Sequence, residues 1–207
     1  MSQITSIQPQ IKDKTRCSIY VDGAFYCGIK LEVAIKYRLK AGMEIEKSKL
    51  DEIQLETEKM QAMDKAMTHI SATMKTEKQI CDFLASKGYT ALVCNYVLEK
   101  LKYYGYVDDY AYCKQYVSSV SGKGKMVLER DLIKRGAKRD AIENALCDVE
   151  ESVDDALVIL KKYLRGKTID KQTLYKGFKH LLSKGFSYDT INSAMDEFGG
   201  EDEDFIS

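Results

Sequence analysis

One motif limits the fold of this 207-residue chain more than any other feature. Leu84-Ala-Ser-Lys-Gly88, Leu132-Ile-Lys-Arg-Gly136 and Leu181-Leu-Ser-Lys-Gly185 share the pattern L-x-x-[KR]-G, with glycines 48 and then 49 residues apart. Aligned on those glycines, Cys94, Ile142 and Ile191 fall six residues later, Val97, Ala145 and Ala194 nine later, and Leu98, Leu146 and Met195 ten later. Spacings of three and four place these positions on one helical face. Each motif therefore reads as a helix end, with a basic residue complementing the C-terminal dipole and the glycine as cap. A following helix starts at Thr90, Lys138 or Ser187, and another precedes each motif over about 57–72, 108–120 and 152–165. Thr76-x-x-Gln79 and Ser152-x-x-Asp155 fit capping boxes. A period of this length signals an α-helical array. The single proline, Pro9, leaves nearly the whole chain able to be helical.

The strand signals are confined to residues 4–29. Ile4–Ile7 is short and β-leaning, and Cys17–Val21 and Phe25–Ile29 flank an Asp22-Gly23 hairpin turn. Helical spacing returns in Glu32–Leu39, punctuated by Gly42, and Ser48-Lys-Leu-Asp51 reads as a capping box opening a helix to about residue 72. The expected fold is mainly α: a tandem array of three three-helix repeats behind a small β-hairpin-containing head. The expected divisions are 1–47 for the head, 48–107 for a linker helix and the first repeat, 108–149 and 150–197 for the second and third repeats, and 198–207 for an acidic tail.

No apolar run reaches the roughly 18 residues that span a bilayer, and the N-terminus lacks a secretory apolar region. The six cysteines form no C-x-x-C pair, so zinc spacing is absent. In a regular hairpin Cys17 faces Gly28 and Cys27 faces Ser18, which sends the two thiols to opposite sides of the ribbon. A reduced, cytoplasmic monomer is expected.

Reaction chemistry finds little support. His69 and His180 sit in helical stretches with no triad or metal spacing, and read as ordinary helix residues. Gly122-Lys-Gly-Lys125 falls between two helices, where a P-loop needs a strand before it. It reads as a helix-to-helix turn whose following N–H groups could still favour an anion. Asp108-Asp109 suits capping better than metal binding, because adjacent helix residues do not converge. Tyr103, Tyr104, Tyr106, Tyr110, Tyr112 and Tyr116 are read as packing residues ahead of a base-stacking platform. No cofactor, metal or catalytic residue is assigned.

The 32 basic and 32 acidic residues cancel, but they are segregated. Residues 122–139 carry Lys123, Lys125, Arg130, Lys134, Arg135, Lys138 and Arg139 against two acids, a local +5. Residues 161–184 carry eight cations against Asp170, a local +7. Five acids occupy 148–160, and six more follow from Asp196. Lys123, Arg130 and Lys134, at spacings of seven and four, are expected on one helical face. Such stripes often only solvate a surface, but basic blocks at equivalent places in two repeats also suit a polyanion. The seven cations of 122–139 are the candidate partner-binding residues.

With the repeats in place, the chain resembles the RecX family of bacterial recombination regulators over nearly its whole length. The resemblance rests on Gly105-Tyr-Val-Asp-Asp109 with Tyr110-Ala111, and on Gly124-x-x-x-Leu128-x-x-Asp131-Leu132-x-x-Arg135-Gly136. Val21-Asp-Gly-Ala-Phe25 and Leu39-Lys-Ala-Gly42 look like the longer, Gram-positive-type members. The chain departs from the family pattern at Lys75-Thr76, at Lys125 in place of a proline, and at Asp131 in place of Glu. The resemblance implies a non-enzymatic modulator that binds the RecA–single-stranded DNA filament and restrains its ATPase, strand exchange and growth. On that basis the basic faces lie against the filament, with phosphate contacts to DNA contributing salt sensitivity. The alternative is a direct DNA-binding protein whose helical units act like helix-turn-helix modules.

Overall fold

The computed structural model describes residues 2–203, with side chains over 2–199. Four strands, β1 (Ser2–Pro9), β2 (Arg16–Val21), β3 (Ala24–Lys30) and β4 (Glu44–Ile45), form an antiparallel sheet in the order β3-β2-β1-β4. The Asp22-Gly23 turn has both residues at positive φ, as a tight hairpin needs. One expectation fails in this hairpin. Ile19 pairs with Cys27 and Tyr20 with Phe25, so Tyr26 is an extra residue and the register shifts beyond it. Cys17 then opposes Ile29, and Cys17 and Cys27 both face the core instead of opposite sides. Burial pushes the Cys27 thiol up to about 11, so it stays protonated as a small apolar group.

Helix α1 (Leu31–Lys36) and the long α2 (Lys47–Ser71) cover this sheet. Leu50 and Ile53 of α2 join Ile4, Ile19, Ile29 and Val33 in one buried cluster. The Ser48 capping box does not form: α2 begins at Lys47, with Glu46 as N-cap and no side-chain cap bond. The remaining helices are α3 (Glu77–Ser86), α4 (Ala91–Tyr103), α5 (Asp109–Ser119), α6 (Lys125–Lys134), α7 (Arg139–Cys147), α8 (Val153–Leu164), α9 (Lys171–Ser183) and α10 (Tyr188–Glu203). Each L-x-x-[KR]-G motif closes a helix as expected, and Gly88, Gly136 and Gly185 all have left-handed backbone. The acidic stretch through Glu203 continues α10, and residues 204–207 of the expected tail lie outside the described residues.

Two compact units result: Met1–Thr73 with Ile80–Tyr106, and Met74–Gln79 with Val107–Ser207. The first unit buries Ile80, Leu84, Val93, Val97 and Leu101 besides the sheet core. In the second unit, α5–α7 close around Leu128, Leu132, Ile142 and Leu146, and α8–α10 around Leu160, Leu181, Phe186 and Ile191.

A repeated joint organises the second unit. The buried Asp109 carboxylate, 2% exposed, accepts from Glu77 N–H at the start of α3 and from Lys138 N–H before α7, each at 2.9 Å. Thr76 donates its hydroxyl to the Arg135 carbonyl at 2.8 Å while completing its own capping box with Gln79. Forty-eight residues on from Thr76, Gly124 N–H donates to the Lys184 carbonyl at 2.9 Å. Glu151 takes the part of Asp109: its carboxylate accepts from Lys125 N–H before α6 is under way and from Ser187 N–H before α10, each at 2.7 Å, and from the Thr190 hydroxyl at 3.0 Å. At both joints one carboxylate ties two helix N-termini together, which satisfies donors no helix can satisfy itself.

Candidate polyanion interface

The backbone N–H groups entering α6 do point at an anion, as the Gly122–Lys125 turn suggests, but the chain supplies it. Glu151, with Lys184 and Gly185 as neutral acceptors, occupies them. Burial works to raise the Glu151 carboxyl, and the N–H donors of Ser187 and Lys125 with the neighbouring hydroxyls outweigh it, leaving it below the usual range.

The seven candidate cations divide by what they touch. Lys123 lies ahead of α6, not on its face with Arg130 and Lys134, because the helix starts only at Lys125. Its ammonium is 2.5 Å from Asp131, which also accepts from the Tyr116 hydroxyl at 3.0 Å. That pairing holds Lys123 above and Asp131 below their ordinary ranges. Arg135 donates to the Tyr112 hydroxyl at 3.2 Å and lies 4.7 Å over the Tyr116 ring, so it braces α5 against α6. Lys138 pairs with Glu77 at 2.6 Å. Arg139 pairs with Glu143 along α7 at 2.9 Å, although its side chain is 92% exposed. Lys125, Arg130 and Lys134 remain without an acid partner among the described residues, and the last two are fully on the surface. Of the seven, the fold thus leaves three available on α6.

The second basic block is arranged differently. In α9, Gly177 is buried so closely on α8 that a Cβ would stand 2.8 Å from Leu160 Cδ1. Tyr175 and Lys179, two residues to either side, point the opposite way. Lys171, Tyr175 and Lys179, four apart, make an exposed stripe with Lys176 beside it. Lys179 sits 4.6 Å over the Tyr175 ring, and Lys167, past the end of α8, lies 3.3 Å over Tyr163. No carboxylate among the described residues pairs with Lys162, Arg165, Lys167, Lys171, Lys176, Lys179 or Lys184. Asp170, the nearest acid in the sequence, is turned to its own helix and accepts from Thr173 N–H at 2.6 Å. These residues belong to the local +7 block but not to the seven candidates, and only the pattern of pairing distinguishes them.

The other sequence candidates settle into packing or onto the surface. His69 stacks on Phe83 at 3.9 Å and His180 on Tyr163 at 4.5 Å. Burial, and then Lys184 and Lys167, push the His180 imidazole below its ordinary range. Asp108 caps α5 through Tyr110 N–H and Ala111 N–H, whereas Asp109 serves the joint. Tyr112 and Tyr116 pack in the α5–α7 core, but Tyr103, Tyr104, Tyr106 and Tyr110 are exposed. No group of three or more His, Cys, Asp or Glu suited to a metal occurs among the described residues, nor is any of their helices long and apolar enough to cross a membrane.

Fold and surface together define a mainly helical repeat protein with a small antiparallel head, presenting cationic helix faces. Two family models match it: the regulatory protein RecX N-terminal domain over residues 2–46, and the first three-helix domain of RecX over residues 62–101. The regulatory protein RecX of Bacillus licheniformis is 33% identical across 99% of this chain and 80% of its own length. That of Clostridium perfringens strain 13 is 33% identical across 94% of this chain and 95% of its own. A crystal structure of a regulatory protein RecX superposes with a TM-score of 0.73 at 25% identity, covering 95% of this chain and all of that one. The chain belongs to the RecX family of regulatory proteins.

Proposed function

We propose that this protein binds the filament formed by RecA on single-stranded DNA and restrains its ATPase, strand exchange and growth, without chemistry of its own. The observation that carries the reading is the α8–α9 surface, where cations stand without acid partners in a protein of a regulatory family. A nucleoprotein filament is a dense polyanion, and a cation already tied to a carboxylate meets it at a cost of up to about 1 kcal/mol for the lost pair. Lys171, Lys176 and Lys179 have no such cost, and Arg130 and Lys134 of α6 add to the same charge. Arg135, Lys138 and Lys123 act mainly within the fold. The protein works as a cytoplasmic monomer in this reading.

The test is RecA ATPase on single-stranded DNA with increasing amounts of the protein. A dose-dependent fall in hydrolysis that weakens as salt rises supports the reading. Unchanged hydrolysis overturns it. Titration of DNA without RecA separates the alternative, since a direct DNA-binding module holds DNA tightly at physiological salt on its own.

A further inference from the structure

Helix α4 carries two faces of opposite use. Val93, Cys94, Val97 and Leu101 are buried in the first unit. On the other side Leu92, Tyr96 and Tyr103, at spacings of four and seven, form an exposed, aromatic-rich stripe. Tyr103 is 81% exposed. Past the helix end, left-handed Gly105 turns the chain so that Tyr104 and Tyr106 continue the patch, with ring centroids 5.2 Å from Tyr103 to Tyr104 and 6.3 Å from Tyr104 to Tyr106. Tyr103, Tyr104 and Tyr106 each expose more than half of their surface and add little to folding, which leaves them available for a partner, whereas Tyr96 is 40% exposed and is covered in part by lysine ammonium groups.

The charge beside these rings selects the partner. Lys59 of α2 lies 4.4 Å from the Tyr96 ring centroid, and Lys100, one turn along α4, lies 5.9 Å from it. Neither is among the ion pairs of the described residues, although Lys59 stands near enough to Glu56 to help hold that carboxyl below its ordinary range. Glu99 is the single acid within α4, and it stands 3.9 Å from Lys102. Tyr96 and Tyr103 are separated by about 10 Å along the helix, from the rise per residue, with Lys100 between them. Flat rings at intervals with unpaired ammonium groups alongside match successive unpaired bases and the phosphates that join them. Duplex DNA offers no base faces to such rings.

We propose that the Lys59–Tyr96–Lys100–Tyr103 face, extended by Tyr104, is a binding site for single-stranded nucleic acid, in which the tyrosines stack on bases and the lysines meet phosphates. It belongs to the first unit, the α8–α9 cations belong to the second, and it does not depend on the filament reading, since it is tested without RecA.

The chain has 14 tyrosines and no tryptophan, so its intrinsic emission reports on tyrosine directly. Adding oligo(dT) to the full-length protein quenches that emission, and a fluorescein-labelled oligo(dT) shows binding by anisotropy. The Tyr96→Ala, Tyr103→Ala double variant, checked for native helicity by circular dichroism, binds at least roughly tenfold more weakly with an unchanged salt slope. The Tyr96→Phe, Tyr103→Phe variant, which keeps both ring faces, stays within about twofold of the unaltered protein. Lys59→Ala with Lys100→Ala lowers the salt slope instead. No quenching by oligo(dT), full affinity in the alanine pair, or equal loss in the phenylalanine pair overturns the proposal. An alanine pair that binds oligo(dT) normally but no longer restrains RecA marks a protein-facing surface, which overturns this site and leaves the filament reading standing.

Discussion

The second and third repeats each carry a basic block, yet they use it in opposite ways. In the second, Lys123, Arg135, Lys138 and Arg139 are bound to Asp131, Tyr112, Glu77 and Glu143. In the third, the acid nearest in sequence is turned into its own helix cap, and the cations of α9 face outward beside tyrosine rings. Net charge per segment is therefore a poor guide to a binding surface. What decides is whether the fold places a carboxylate within reach, because a paired cation must give up or share that partner, at a cost of up to about 1 kcal/mol, to meet a phosphate.

The two repeats also differ at the glycine of the shared motif, and this offers the largest contrast. A Cβ on Gly185 would lie 2.5 Å from the backbone nitrogen of Val127, which cannot move aside. A Cβ on Gly136 would crowd the base of the Lys78 side chain, whose own Cβ would stand at 2.8 Å. Gly185→Ala is expected to destabilise the protein by about 3 kcal/mol or more, from overpacking added to left-handed strain. Gly136→Ala, which crowds a side chain instead of a backbone nitrogen, costs less, about 2 kcal/mol, from left-handed strain and displacement of Lys78. Urea midpoints for the two variants check the order, and equal midpoints would break the contrast.

The joints provide the next test. Asp109 is buried and accepts two N–H groups, while Glu151 is only half-buried and accepts more donors. Asp109→Asn turns an amide N–H₂ on one of the two backbone donors and is expected to cost about 2–3 kcal/mol. Glu151→Gln costs about 1–2 kcal/mol at neutral pH. The Glu151 carboxyl is held below its ordinary value of 4.5, so its contribution is present above that pH and fades as pH falls through the lowered value. The difference between the unaltered protein and Glu151→Gln in urea unfolding should close as the pH drops below 4.5. A difference that widens in acid would contradict the assigned role.

Much of this fold is legible in the chain. The glycine alignment locates the helices of all three repeats because cap and stripe recur together, and Thr76-x-x-Gln79 closes the capping box its spacing announces. The Cys17 and Cys27 placement is not legible, since one extra residue at Tyr26 reverses the faces without any glycine or proline to mark it. Nor is the joint. Asp109 lies 27 residues before Gly136 and Glu151 lies 34 before Gly185. Glu151 stands two residues ahead of α8 whereas Asp109 opens α5, and α8, the loop after it and α9 are each longer than their counterparts, so two residues with one job occupy unaligned positions. The basic blocks of the candidate site can be counted from sequence. Which cations are spoken for depends on partners as far away as Glu77, 61 residues from Lys138, and no local pattern encodes that.

The central claim, that availability and not number of cations makes the interface, comes down to two matched variants in one assay. Lys171, Lys176 and Lys179 of α9 are changed to Glu in one protein, and Lys123, Arg135 and Lys138 in the other, with folding verified for each. Concentrations giving half-inhibition of RecA ATPase on single-stranded DNA are then compared. The account predicts a shift of roughly tenfold or more for the α9 variant, with a weaker salt dependence, and a much smaller shift for the other in its folded fraction. An α9 variant that inhibits like the unaltered protein, beside a folded second variant that has lost inhibition, would contradict it.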